Sequence, residues 1–163
     1  MLNIYDAVAY VEGSEAYPAL HGTVKFFAAE DGSWVEADIA NLPPYRSGDA
    51  GQPQTGPFGF HIHENSVCGT GSPPDPFAAA GAHWNPGNQP HGNHAGDFPA
   101  LFVSANGTAK MLFYTDRFKP SDVIGKTIVI HRSPDDYRTQ PSGNSGERIG
   151  CGTVVPAVPY PIL

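Results

Sequence analysis

The sequence predicts an all-β domain of eight short strands, arranged as a barrel or sandwich with Greek-key connections. Apolar and polar residues alternate in eight short segments, and no stretch keeps a helical repeat. Gly (19) and Pro (17) are frequent among 163 residues, yet 40% of the chain is hydrophobic, which is typical of a compact domain with many turns. The predicted strands are residues 3–11, 21–28, 33–40, 58–63, 99–104, 108–116, 126–131 and 149–155.

Two of the predicted connections have the sequence of a tight hairpin turn. Asp31-Gly32 separates the second and third strands, and Asn106-Gly107 separates the fifth and sixth. Such dipeptides supply the positive φ angles that two-residue hairpin turns require. We therefore expect a hairpin at each position.

Three long connections remain, residues 41–57, 64–98 and 132–148. Loops of this length are usually functional, or are held by crosslinks and metals, and two of these three are flanked by histidines. The length of 163 residues suits a single domain over residues 1–163.

The charge balance argues against some partners. Nine basic and sixteen acidic residues give a formal net charge of -7, a surface that repels the phosphate backbone of nucleic acid. No apolar run approaches the roughly 18 residues of a membrane span. The amino terminus has neither a basic nor an apolar region, so no secretory signal is visible, as in a cytoplasmic chain or one already processed.

The two cysteines, Cys68 and Cys151, lie far apart and form no CxxC motif. A disulfide between them would close a long loop and stabilise the fold by about 4 kcal/mol in the chain-entropy model. We favour this disulfide over the alternative of two buried thiols. It would in turn favour an extracytoplasmic or secreted protein, with the cytoplasm left open.

The fourth predicted strand contains a His-x-His pair. Because side chains alternate along a strand, Phe58, Phe60 and Ile62 can face the core while His61 and His63 project together on the other side, about 7 Å apart. Two imidazoles on one face can bind one metal ion. Taken alone, the pair favours two solvated histidines slightly over two metal ligands.

More candidate ligands follow the pair. His83, His91 and His94 precede Asp97 within fifteen residues, and His131 ends the seventh predicted strand. This set is too large for one tetrahedral ion, which leaves two metals or several idle histidines. Zinc takes nitrogen and carboxylate ligands, whereas four imidazoles in a flattened arrangement suit Cu(II).

Four motifs together resemble the Cu/Zn superoxide dismutase family, and more closely its bacterial branch: residues 59–64 (GFHIHE), 81–86 (GAHWNP), 94–97 (HAGD) and 143–152 (GNSGERIGCG). The resemblance implies an immunoglobulin-like, eight-stranded Greek-key barrel with long metal-binding and electrostatic loops. It also implies an oxidoreductase that converts the superoxide anion to oxygen and hydrogen peroxide by copper cycling between Cu(II) and Cu(I).

The resemblance further implies roles for particular residues. His83 would bridge the two metals and, with Arg148 beside the copper, act in catalysis; Asp135 would support one ligand of each metal, and Cys68 would pair with Cys151. The implied copper ligands are His61, His63, His83 and His131. The implied zinc ligands are His83, His91, His94 and Asp97.

Two other functions are reachable from the same residues. One is a copper-poor homologue that keeps the zinc site for structure or metal buffering, and the other is a zinc hydrolase with an activated water. The intact copper set argues against the first, and the second leaves His61, His63 and His131 unexplained. The sequence decides neither for nor against a homodimer.

Overall fold

The computed structural model describes residues 5–157, and seven antiparallel strands in these residues form one sheet in the order β4-β6-β7-β1-β2-β3-β5. The all-β prediction is confirmed, since residues 5–157 contain no helix beyond a 3-10 turn, Ala78–Ala80, and one turn of α-helix, Pro120–Val123 (α1). The predicted first strand begins two residues outside the described range. The strands are β1 (Ala7–Gly13), β2 (His21–Ala29), β3 (Gly32–Ala40), β4 (Gly59–His63), β5 (Ala109–Thr115), β6 (Thr127–His131) and β7 (Arg148–Pro156).

The core lies on one face of this curled sheet and receives side chains from all seven strands. Alternation along each strand sends every second side chain inward, as in β3, where Val35, Ala37 and Ile39 are buried. Phe26 and Phe60 are fully buried, and a buried side chain of this size stabilises a fold by about 1.5–3 kcal/mol. In the described residues no helix is long and apolar enough to span a membrane.

The predicted fifth strand, residues 99–104, is the one element that the structure corrects. Only Leu101 pairs with a strand neighbour, Phe58, through two backbone hydrogen bonds of 2.9 Å. The Tyr137 hydroxyl accepts a hydrogen bond from the Ala100 amide (2.8 Å) and donates to the Phe98 carbonyl (3.3 Å). Because a side chain occupies these backbone groups, the segment forms a single bridge, and the described residues contain seven strands rather than eight.

The two predicted hairpin turns differ in their backbone. At Asn106-Gly107, Gly107 has the expected positive φ (80°) and its amide donates to the Ser104 carbonyl, but Asn106 has no positive φ and only the segment after this turn is a strand. The first hairpin is present, with Ala29 paired to Gly32, but neither Asp31 nor Gly32 has the expected positive φ. A Cβ on residue 32 would lie 2.1 Å from the Thr115 carbonyl oxygen, so glycine is needed there for the close approach of β5.

The strand β4 lies at one edge of the sheet, and its free edge is paired by the long connection that follows it. Isolated bridges join His61 to Asp97 and His63 to His83. All five residues of β4 are buried, because one face packs on the core and the loop covers the other. The chain therefore places residues near 83 and 97 beside the His-x-His pair.

Candidate metal centre

Two groups of side chains in the structure can each hold a metal ion, and they share one residue, His83. In each group, one ligand atom from every member lies within 4.8 Å of the ligand atoms of the others. The first group is His61, His63, His83 and His131. The second group is His83, His91, His94 and Asp97.

Strand alternation and edge pairing build the first group. His61 and His63 project from β4 on the side away from the core, with ring centroids 6.3 Å apart. The neighbouring strand β6 brings His131 alongside, 4.9 Å from the His61 ring. The loop residue His83, held by its bridge to His63, stands 4.0 Å from the His61 ring.

Backbone carbonyls fix the orientation of two of these rings. His63 donates from Nδ1 to the Gly81 carbonyl (2.9 Å), and His131 donates from Nδ1 to the Gly146 carbonyl (3.1 Å). The two Nε2 atoms are then both acceptors and face each other at 3.3 Å. Two lone pairs at this distance repel unless a cation lies between them, so the pair is arranged for a metal.

The second group gathers around the carboxylate of Asp97. Its Oδ1 lies 3.0 Å from His83 Nδ1 and 3.3 Å from His94 Nδ1, and its Oδ2 lies 3.2 Å from His91 Nδ1. Burial raises the pKa of Asp97, but the hydrogen bond with His83 and the nearby His91 outweigh it and lower that pKa to about 2. The carboxylate is therefore ionised and can bind a cation at neutral pH.

The buried carboxylate of Asp135 connects the two groups. Its Oδ2 accepts from His61 Nε2 (2.7 Å), and its Oδ1 accepts from His91 Nε2 (2.9 Å). Both rings are thereby locked in the tautomer that leaves Nδ1 free for a metal. The adjacent Asp136 belongs to neither group. It is exposed and accepts hydrogen bonds from the Arg138 and Thr139 amides.

The imidazole nitrogens that form no hydrogen bond show whether metals fit this arrangement. Four buried imidazole nitrogens have no hydrogen-bond partner within residues 5–157: His61 Nδ1, His83 Nε2, His91 Nδ1 and His94 Nδ1. A buried polar atom without a partner is costly, so these atoms fit metal bonds better than any other role. The all-nitrogen first group suits copper, and the three nitrogens and one carboxylate of the second suit zinc.

Burial also keeps three rings of the first group neutral, those of His61, His63 and His131. It lowers the pKa of His61 and His63 well below 6.5, with neighbouring His131 adding to the effect. Burial likewise lowers the pKa of His131 to about 3. Neutral imidazoles offer a free lone pair at physiological pH, as metal binding requires.

The guanidinium of Arg148 is fixed beside the first group by two loop carbonyls. It donates from Nη1 to Phe77 and from Nη2 to Gly81, both at 2.8 Å. The Gly81 carbonyl is the same one that orients His63. Burial lowers the pKa of Arg148, and nearby Asp75 partly opposes this. The guanidinium stays charged, because an arginine pKa is high enough to tolerate such a shift.

Cys68 and Cys151 form the predicted disulfide, with their Cα atoms 5.9 Å apart. The bond ties the connection that carries the Gly81 carbonyl to strand β7, which carries Arg148. Its sequence separation is 83 residues, so the crosslink removes much of the freedom of the unfolded chain.

We expect the double variant Cys68→Ala/Cys151→Ala to lose about 4 kcal/mol of unfolding free energy, because the unfolded chain regains this freedom. Guanidinium chloride denaturation of the metal-free protein measures the loss. Wild-type protein under reducing conditions serves as a control and should lose a similar amount. A loss below about 1 kcal/mol in both samples would show that the crosslink contributes little.

Sequence reasoning missed several residues that hold the metal loops in place. Gln140 accepts from the His91 amide (2.8 Å) and donates to its carbonyl (3.3 Å), and Arg117 donates to the His94 carbonyl (2.7 Å). Tyr137 donates its amide to Asp135 at 2.6 Å. The contacts of Gln140 and Arg117 join side chains to distant backbone groups and leave no periodic signal, so no pattern in the sequence pointed to them.

The chain is similar to proteins of one family over most of its length. The family model for copper/zinc superoxide dismutase (SODC) matches residues 20–154. A superoxide dismutase [Cu-Zn] of Deinococcus radiodurans is 38% identical, covering 80% of this chain and 75% of the relative. The corresponding protein of Legionella pneumophila is 32% identical, covering 91% and 86%.

A solved structure gives the same similarity in three dimensions. The crystal structure of a SOD-like protein from Bacillus subtilis matches with a TM-score of 0.72 and 30% identity. The match covers 92% of this chain and 99% of the other.

Proposed function

Because this chain belongs to the copper/zinc superoxide dismutase family, we propose that it binds copper and zinc at the two groups and uses both in dismutation. By class the protein is a superoxide dismutase, an oxidoreductase. The proposed copper ligands are His61, His63, His83 and His131. The proposed zinc ligands are His83, His91, His94 and Asp97.

One observation carries this proposal: His83 belongs to both groups, and we infer that it offers a different nitrogen to each. Its Nδ1 lies 3.0 Å from the Asp97 carboxylate, and its buried Nε2 has no hydrogen-bond partner in the described part of the chain. A zinc hydrolase would need the second group alone. The first group, in which two Nε2 atoms face each other, supports the binding of a second metal that prefers nitrogen ligands.

When bound, copper supplies the reversible one-electron couple that superoxide chemistry needs, and zinc supplies a fixed, redox-silent charge on the shared ring. Overall, two superoxide anions and two protons give one oxygen molecule and one hydrogen peroxide molecule. One anion loses an electron and the other gains it, so atoms and electrons balance. The protein must therefore deliver protons as well as hold the metals.

His83 is suited to move one of these protons. Its Nδ1 lies against the Asp97 carboxylate and its Nε2 is buried without a hydrogen-bond partner within residues 5–157, so we infer that Nε2 is the nitrogen offered to the first group. We assign Nε2 as the atom that takes up a proton and passes it to the reduced substrate. The bridge between residues 63 and 83 keeps the ring in reach throughout.

Arg148 is suited to attract the anion. The chain carries a formal charge of -7, so attraction to superoxide must be local. Two N–H groups of the guanidinium are used by carbonyls, and the remaining donors can receive a diatomic anion. Two other candidate cations are neutralised, since Lys110 pairs with Asp38 (2.6 Å) and Arg132 pairs with Glu147 (3.7 Å).

We expect Arg148→Ala to lower the dismutation rate constant about tenfold or more and to weaken its dependence on ionic strength, because steering is lost. Stopped-flow decay of superoxide at several salt concentrations measures both effects. Arg148→Lys should keep the salt dependence, since it keeps the charge, but not the full rate. Arg46→Ala removes the same charge from an exposed residue that belongs to neither metal group and should change neither quantity. An unchanged salt dependence in Arg148→Ala would contradict the steering role.

The experiment that tests the whole proposal is metal analysis joined to an activity assay. Purified protein is stripped, reloaded with copper and zinc together, and assayed for metal content and superoxide decay. We expect close to one copper and one zinc per chain, with dismutation only when copper is present. Binding of zinc alone, with no dismutation after copper loading, would support a copper-poor homologue instead.

We also propose an extracytoplasmic location. The Cys68–Cys151 disulfide is the supporting observation, because such bonds persist in oxidising compartments and are rare in the cytosol. Fractionation of the source cells tests it, and recovery of the active protein in the cytosolic fraction alone would contradict it.

A further inference from the structure

The segment that carries the zinc-suited ligands is short, with only two residues between His91 and His94. Both Nδ1 atoms nevertheless reach the Asp97 carboxylate, at 3.2 and 3.3 Å. Asp97 Oδ2 accepts the Gly92 and His94 amides (2.8 and 3.0 Å), which folds the segment into a tight turn. These contacts all come from inside the turn, on the side where the metal would bind.

Two side chains from other parts of the chain hold the same turn from outside. Arg117 donates from Nη1 to the His94 carbonyl (2.7 Å) and from Nη2 to the Asn93 side-chain oxygen (3.2 Å). Gln140 forms its pair of hydrogen bonds with the backbone of His91. Each of the two histidines is thus held through its backbone by a residue that belongs to neither metal group.

Each holding residue is fixed by its surroundings. Arg117 precedes Phe118, which is buried in the core and accepts a hydrogen bond on its carbonyl from Ser33 (2.9 Å). Gln140 stands at the end of the turn that Asp136 organises through the Arg138 and Thr139 amides. A partner fixed in this way loses little conformational entropy on holding the loop.

Arg117 also forms part of the wall of an open cleft of about 600 Å³, and Gly92, Asp97 and Tyr137 line the same cleft. Solvent therefore reaches the outer side of the turn. Without the arginine, water can compete for the His94 carbonyl and the turn can open toward the cleft.

From these contacts we propose that Arg117 and Gln140 are positioning residues that hold the His91–His94 turn in its zinc-binding shape and slow the loss of zinc. The inference rests on the proposed function, because it takes the second group as the zinc site. Arg117 acts on His94 and Gln140 acts on His91, in each case through the backbone.

Because Arg117 is charged, support of the ligand backbone and electrostatic repulsion of the metal predict opposite effects of its removal. A guanidinium close to a cation site repels the cation, so removing the charge alone would tighten zinc binding. Removing a hold on the ligand backbone would do the reverse. Replacing a residue that supports a metal ligand typically lowers metal affinity about 10- to 100-fold. We expect the lower value for Arg117, because its side chain is partly exposed.

The test compares Arg117→Met, which keeps the length but removes charge and donors, with Arg117→Lys, which keeps the charge and one donor. Zinc release from the copper- and zinc-loaded protein is followed with a coloured chelator. We expect release to be about tenfold faster in Arg117→Met and in Gln140→Met, and intermediate in Arg117→Lys. Arg46→Met removes the same charge from an exposed residue of another loop and should match wild type.

A second readout reports ligand geometry directly. With Co(II) in place of zinc and copper reduced, the visible absorption bands should shift in position or intensity in Arg117→Met and recover toward wild type in Arg117→Lys. Unchanged bands together with an unchanged or slower release rate would overturn the proposal. If wild-type protein itself takes up neither zinc nor cobalt, the proposed function fails, which is a different result.

Discussion

Replacing His131 by alanine is expected to abolish dismutation while zinc stays bound. His131 belongs only to the first group, so the four members of the second group remain in place. The variant loses one of the two facing Nε2 atoms. We therefore expect the copper content to fall to a small fraction of the wild-type value and the activity to fall at least a hundredfold. This loss exceeds the roughly 10- to 100-fold loss of activity that is typical when a residue supporting a metal ligand is replaced. Elemental analysis and superoxide decay measure the two effects.

The reciprocal variant, His94→Ala, should lose zinc and keep most of its copper, because His94 belongs only to the second group. His21→Ala is the matched control, since this exposed histidine lies on β2 outside both groups, and it should retain both metals. Retained zinc in His131→Ala also demonstrates that the variant folds. Full activity in His131→Ala would contradict the copper assignment.

The second large effect is expected from a single methyl group at residue 143. Gly143 has φ +68°, and a Cβ there would lie 1.8 Å from Asp135 Oδ1 and 2.5 Å from His91 Nε2. In Gly143→Ala, Asp135 must move and its link between His61 and His91 is broken. We expect metal affinity to fall about 10- to 100-fold, in addition to about 1–2 kcal/mol of backbone strain.

Gly125→Ala separates the two contributions. Gly125 has a similar φ of +79°, but nothing lies within 4 Å of the added Cβ. We expect this control to lose only the strain energy, seen as a modest fall in melting temperature, with normal copper and zinc. Competition with a chelator measures metal affinity in both variants. Equal affinities in the two would mean that Asp135 tolerates the displacement.

The parts of the site that the sequence predicted are those that follow from local geometry. Alternation along β4 placed His61 and His63 on one face, and they do lie together there. The two cysteines were correctly paired. The similarity of the family motifs indicated the other members of both groups, which the structure brings within reach of one another.

What the sequence did not predict depends on contacts between distant residues. Residues 99–104 have the alternation of a strand, but Pro99 has no amide hydrogen and the Tyr137 hydroxyl occupies the groups around Ala100. Gly32 was assigned to a turn with positive φ, whereas its actual constraint is the carbonyl of Thr115 on another strand. Arg117 and Gln140 act on peptide groups, which have the same chemistry at every position, so no residue type marks their targets.

The Gly81 carbonyl accepts hydrogen bonds from both His63 and Arg148. One oxygen atom therefore sets the spacing between a metal ligand and the guanidinium that would meet the incoming anion. His63 stands on β4 and Arg148 on β7, so this shared acceptor also joins two strands that do not pair with each other. On the proposed function, displacing the Gly81 carbonyl would disturb the copper ligand and the anion-attracting group together.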